Sequence, residues 1–265
     1  MKTDTKLLQG ANIAAFLAMI VVNTLASTAG LLGRQTGELS DAIANLFVPA
    51  GLTFSIWGVI YLALLLFAVY QARGLFSATR EAPEALARVG WLFVVSSAAN
   101  IAWLFLWHAE LVVLSMVPML ALLATLIAAH VRLGTGRTRP NGAERWFFRV
   151  PFSVYLGWIT VATVANATAA LVTAGWNGFG LPDEVWAVAM VAVAALVTLV
   201  MLLTRRDAAY GLVVAWALAG IALKRSADAS PASRAVYAAA VACAAVVAAA
   251  IAATAVRGAL RPVKD

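Results

Sequence analysis

Eight apolar runs divide this chain, at about 7–29, 51–72, 87–107, 111–131, 147–173, 184–203, 208–223 and 235–256. Each approaches the roughly 20 residues a helix needs to cross a bilayer, the seventh being the shortest. Inside hydrocarbon a backbone must satisfy its own hydrogen bonds, so runs of this length imply membrane-spanning helices. Composition agrees: 63% of the residues are hydrophobic and 12% charged, against roughly 45–50% and 25% in soluble domains. The expected fold class is all-α, a polytopic integral membrane helix bundle of about eight transmembrane helices in contact with the lipid bilayer.

Basic residues orient the bundle. Fifteen of the nineteen Lys and Arg residues fall before the first run or in alternate connections, and four (Arg34, Lys224, Arg225 and Arg234) fall on the other side. By the positive-inside rule both termini are expected in the cytoplasm, with Lys224 to Arg234 as the basic segment on the wrong side. The same distribution turns the net charge of +7 into a topology signal rather than a nucleic-acid footprint. No nucleic-acid motif, Walker-type loop or dinucleotide fingerprint occurs, so neither nucleic acid nor a cofactor is expected. The single Cys243 reads as a small core residue, and one cysteine excludes a disulfide within the chain. The first run also has the features of a signal peptide, with two lysines ahead of it and small residues at Ala26–Ala29; a retained helix is preferred.

Polar and aromatic residues recur at helical spacing inside three runs. In YLGWITVATVAN, residues 155–166, the offsets place Tyr155, Trp158, Ala162 and Asn166 on one stripe. A helix facing only lipid has no use for an amide near its middle, so this stripe faces protein, ligand or water. In the second run Phe54, Trp57 and Tyr61 stand at i, i+3 and i+7 after Pro49, a helix-start residue. In the third, Asn100, Trp103 and Trp107 repeat that spacing. Plain helix packing or an interfacial aromatic belt is the ordinary reading of either stripe alone. Asn12 and Asn23 share a face of the first run, as a packing seam does.

These stripes also carry a resemblance. YLxWxxxATxxN resembles the fifth-helix signature of the tryptophan-rich sensory protein and translocator protein family, once called peripheral benzodiazepine receptors. Tyr155, Leu156, Trp158, Ala162, Thr163 and Asn166 match, while the family's proline sits at Pro151 and Val154 precedes the tyrosine. Pro49, Trp57 and Tyr61 are similar to the second-helix pattern P-x-W-x-F-x-P-x-W-x3-Y, with Gly51 and Ser55 at a tryptophan and a proline position. Asn100, Trp103 and Trp107 are similar to the third-helix pattern N-x2-W-x3-F. The resemblance covers about residues 1–175 and implies a five-helix translocator-like membrane core. Residues 176–265 form a three-helix C-terminal membrane extension with no counterpart in the family's usual core.

The resemblance implies a porphyrin-like hydrophobic small molecule, in some members a sterol, bound among Phe54, Trp57, Tyr61, Asn100, Trp103, Trp107, Tyr155, Trp158, Ala162 and Asn166. The two asparagines either meet polar edges of the ligand or bond each other across helices. The connection 31–48 closes over the pocket in the family. Leu66, Tyr70 and Arg73 fit a sterol-contact pattern, a weak signal.

No Asp, Glu, Lys or Arg falls near the middle of a run, which argues against a proton-coupled antiporter or cation channel. No catalytic set is expected: both histidines lie at run ends, His130 as a snorkelling or capping residue. His108 and Glu110 share a tight turn, expected to be solvated and too poor in ligands for a metal. The leading expectation is a receptor or transporter for a tetrapyrrole-like ligand. A membrane scaffold, with the Ala-rich eighth run as a packing or homo-oligomer face, and an enzyme degrading bound porphyrin are the rivals. Ala-, Val- and Arg-rich usage fits a bacterial plasma membrane.

Overall fold

A computed structural model describes residues 2–29, 33–75 and 81–259. Arg80, Arg261, Lys264 and residues 31 and 32 of the long connection lie outside the described residues. Helix α1 is Lys2–Thr24, extended by a π-helical turn Leu25–Ala29. The short α2, Thr36–Ala42, sits in the first long connection. A 3-10 segment Gly51–Ser55 leads into α3, Ile56–Gln71. Then come α4, Glu84–Val89, α5, Leu92–His108, and α6, Val112–Arg132. The single turn α7, Gly142–Glu144, and a π-helical turn Arg145–Arg149 open α8, Val150–Thr173. Helices α9, Asp183–Arg205, α10, Ala208–Ser226, and α11, Pro231–Ala259, complete the chain.

Seven of the described helical stretches are long and apolar enough to cross a membrane, and α5 is apolar but shorter. The protein is thus a polytopic helical membrane bundle. Helix α1 touches α3 and α5, α5 touches α6, α6 touches α8, and α8 returns to α3, so five spans close a ring. Helices α9, α10 and α11 touch one another, and α10 lies against α8.

The third apolar run departs from expectation. Expected as one helix from residue 87, it breaks at Gly90, whose φ of 53° and ψ of −138° suit only glycine, and α5 starts afresh at Leu92. Helix α6 runs through Pro118 without interruption.

Polar ties bind the ring at several levels. Gln9 Nε2 donates to the Gln71 carbonyl at 2.5 Å and Gln71 Nε2 returns a bond to that of Gln9 at 3.1 Å, joining α1 to α3. Asn23 Nδ2 donates to Asn100 Oδ1 at 2.7 Å, joining α1 to α5. His130 does not snorkel: it is buried, with Nε2 2.8 Å from Asp207 Oδ2. His108 is not solvated either. It is buried, with Nδ1 2.9 Å from the Leu104 carbonyl and Nε2 3.4 Å from Thr36 Oγ1, so it holds α2 to α5.

One end of the bundle carries the loop 133–141, Arg145, Arg149, Arg205 and Arg206. At the opposite end basic residues meet acids: Arg34 pairs with Glu110 at 3.2 Å and Lys224 with Asp41 at 2.5 Å. Asp228 stands in the turn after α10. Hydrogen bonds from the Ser233 hydroxyl, the Ser230 N–H and the Ser230 hydroxyl hold its carboxyl below the usual carboxylate range, and the charge of Arg225 adds to this. The segment 224–234, basic by sequence, is therefore partly neutralised in place.

Candidate ligand cavity

The ring is hollow on its α2 side. A vestibule of about 570 Å³ is lined by Asn23, Thr24, Thr36, Glu38, Asp41, Phe54, Trp57, Tyr61 and Trp103, among others. A narrow slot of about 50 Å³, room for a few waters, shares Thr36, Phe54, Trp57 and Trp103 with it and adds Trp107, Trp158, Ala162 and Asn166. Both acids of the vestibule are engaged. Glu38 Oε2 accepts from the Gln35 N–H at 3.0 Å, and Asp41 accepts from Lys224.

Helical spacing builds the walls. On α3 Trp57 stacks on Tyr61 with ring centroids 5.5 Å apart, and on α5 Trp103 stacks on Trp107 at 5.8 Å. From α8, Trp158 meets Phe54 edge to face at 5.8 Å and Trp57 at 6.2 Å. Tyr155 meets Trp57 at 6.0 Å. Such edge-to-face contacts suit the ring quadrupoles and fix the rings without filling the space between helices. Ala162, with Ala165 and Ala169, keeps the α8 side of the slot open.

Eight of the ten residues expected at the site line one or both cavities: Phe54, Trp57, Tyr61, Trp103, Trp107, Trp158, Ala162 and Asn166. Tyr155 and Asn100 lie behind this wall, each fully buried. The Tyr155 hydroxyl is beside the Asn100 amide, yet the two make no hydrogen bond of good geometry.

The asparagines do not bond each other. Asn100 takes its bond from Asn23, whereas Asn166 Oδ1 accepts from Trp103 Nε1 at 3.0 Å and Asn166 Nδ2 donates to Ser115 Oγ at 3.1 Å and Met116 Sδ at 2.8 Å. Asn166 thus ties α5, α6 and α8 together at the cavity edge. Trp158 differs: only 3% exposed, it has a buried Nε1 with no acceptor within the protein.

The lid was only partly visible in sequence. Helix α2 contributes Thr36 and Ser40 to the slot, and the Thr36 carbonyl accepts from Trp107 Nε1 at 3.4 Å. Met119 and Val161 also line the slot; being apolar residues in apolar runs, they carry no signal. The sterol-pattern residues lie elsewhere: Tyr70 stacks on Phe147 at 4.3 Å, with the Arg73 guanidinium over its ring at 4.5 Å. Among the described residues no group of three or more His, Cys, Asp or Glu is placed to hold a metal.

The fold and the cavity define a class, helical integral membrane proteins with an aromatic chamber inside a five-helix ring. The chain belongs to the TSPO-like protein family, whose model matches residues 9–253 and so runs past residue 175 into the last three helices. No curated protein and no solved structure matched the chain.

Proposed function

We propose that this TSPO-like membrane protein is a receptor or transporter for a flat, largely apolar, tetrapyrrole-like molecule. The ligand body occupies the vestibule against the rings of Trp57 and Trp103, and one polar edge group reaches into the narrow slot lined by Trp158. The observation that carries this reading is the Trp158 indole N–H, a buried donor without an acceptor in the wall of a largely apolar slot. An unmet buried donor costs about 1–3 kcal/mol. A ligand carrying a carbonyl, carboxylate or ring nitrogen recovers that energy while its face stacks on indole. The vestibule, about 570 Å³, falls within the roughly 300–1,000 Å³ of small-molecule sites. The charge asymmetry of the two bundle ends supports both termini in the cytoplasm, and Ala-, Val- and Arg-rich usage fits a bacterial plasma membrane.

Titrating the purified protein with protoporphyrin while following tryptophan fluorescence tests the reading. Saturable quenching is expected, with its midpoint raised about tenfold in Trp158→Phe, which loses the donor. Ala162→Leu, which fills the slot, should raise it at least as far. Midpoints unchanged in both variants would rule out this cavity as the binding site.

A further inference from the structure

At the arginine-rich end, a further cavity of about 440 Å³ opens between loop 133–141, the start of α8, the end of α9 and the start of α10. Where the slot of the ligand chamber is lined mostly by apolar side chains, this cleft is lined by six arginines. Loop 133–141 supplies Arg137 and Arg139, the π-helical turn supplies Arg145 and Arg149, and the end of α9 supplies Arg205 and Arg206. The first turn of α10 borders the same space through Ala208 and Ala209, and N–H groups there carry the positive end of the helix dipole.

Arginine excess is ordinary at a cytoplasmic membrane face; a built receptacle is not. Arg149, 5% exposed, donates to the Gly134 and Thr138 carbonyls, the latter at 2.6 Å, and to Thr138 Oγ1 at 2.6 Å, so the loop is pinned over α8. Gly136, at φ +76°, rests against the end of α9 so closely that a Cβ there would come 1.8 Å from the Arg205 carbonyl oxygen. The loop therefore has one seat.

The charges in this receptacle are not balanced. Glu144 answers Arg149 and Arg88, each at 2.6 Å. Asp207 is the one carboxylate in the lining, and its oxygens accept from Ser153, the Tyr210 N–H and His130. Arg137, Arg139, Arg145, Arg205 and Arg206 form no ion pair among the described residues. Two buried groups also lack partners: Arg205 Nη1, and Oγ1 of Thr135, a lining residue only 8% exposed. A guanidinium nitrogen and a hydroxyl left unmet beside unpaired guanidinium groups ask for a multivalent oxygen acceptor.

We infer that this cleft is a phosphate-binding site, taking a phosphate ester either as an anionic lipid headgroup or as a soluble phosphorylated molecule. Guanidinium forks fit phosphate oxygens in pairs, and the site lies at helix ends where both sources are within reach. It is separate from the aromatic chamber and does not depend on what that chamber binds.

The test uses the full-length protein in neutral detergent, with thermal unfolding and equilibrium binding as readouts. The probes are glycerol 3-phosphate, short-chain phosphatidylglycerol and, as a zwitterionic control, short-chain phosphatidylcholine. Saturable stabilisation by one or both phosphate probes at fixed ionic strength is expected, with none from phosphatidylcholine. Stabilisation by phosphatidylglycerol alone identifies a headgroup site, and by glycerol 3-phosphate as well a site for soluble esters. Thr135→Val and Arg205→Gln should each weaken binding about tenfold, while Arg132→Gln, outside the cleft, leaves it unchanged. Thr135→Val preserves every charge and so keeps the test valid if Arg205→Gln fails to fold. Absence of binding by both phosphate probes overturns the inference, as does equal loss in Arg132→Gln and Thr135→Val.

Discussion

Asp207 shows how much one side chain holds in this bundle. Its Oδ2 lies 2.8 Å from His130 Nε2 on α6 and accepts from Ser153 Oγ on α8 at 2.6 Å, while Oδ1 caps α10 through the Tyr210 N–H at 3.1 Å. Hydrogen bonds to a charged group are worth about 1.5–3 kcal/mol each, so stripping these three costs at least about 3 kcal/mol. Asp207→Ala is expected to destabilise the protein by about that amount, and Asp207→Asn by less, since its amide oxygen still caps α10 although Nδ2 replaces the oxygen that accepts from Ser153 and His130. Thermal unfolding in detergent measures both, and equal losses would show that the carboxylate charge contributes nothing. The pair was invisible in the sequence for a physical reason. A histidine at a helix end has a ready local explanation in snorkelling, and its partner stands 77 positions away. The cavity rings were legible because Phe54, Trp57 and Tyr61, or Trp103 and Trp107, share a face by helical spacing alone. What Asn166 bonds to was not, because Ser115 and Met116 come from another helix.

At the scale of elements, hydropathy placed the seven spans and the shorter apolar α5, since burial in hydrocarbon is a property of about twenty consecutive residues. It missed the break at Gly90, which one backbone angle decides, and it found no role for α10. The structure supplies one. The Gly220 carbonyl accepts from the Ala50 N–H at 3.0 Å, and Trp216 Nε1 donates to the Thr53 carbonyl at 3.0 Å. A Cβ on Gly220 would lie 1.9 Å from Thr53 Oγ1 and 2.8 Å from Thr53 Cβ. Helix α10 thus clamps the 3-10 segment that carries Phe54 and leads into Trp57, two walls of the chamber. A forced misfit in a packed interior costs about 1–3 kcal/mol. Gly220→Ala should therefore lower stability by that amount and weaken protoporphyrin quenching together with it. Gly10→Ala, where nothing lies within 4 Å of the new methyl, should do neither. Retained affinity in a destabilised Gly220→Ala protein would mean that the clamp and the chamber are independent.

For the whole molecule, the question is whether residues 1–175 are a unit to which three helices are merely added. The ring of α1, α3, α5, α6 and α8 closes without them, which favours that division. The contacts between α8 and α10 oppose it. Gly157 lets α10 approach until a Cβ would meet the Tyr210 carbonyl oxygen at 3.0 Å and Val213 Cβ at 3.1 Å, the close backbone contact that small residues permit between membrane helices. On the same side Ser153 and His130 depend on Asp207, and Thr53 depends on Trp216. Ending the chain after residue 175 strips all of these at once and opens the back of the aromatic wall to lipid. A loss of at least about 3 kcal/mol follows from the Asp207 hydrogen bonds alone, roughly 6–12 °C in unfolding temperature for a chain of this size. The truncated protein is therefore expected to unfold earlier by that margin and to quench with protoporphyrin weakly or not at all. An unfolding temperature and a quenching midpoint equal to those of the full chain would establish the five-helix ring as self-sufficient and leave α9, α10 and α11 without a part in shaping the cavity.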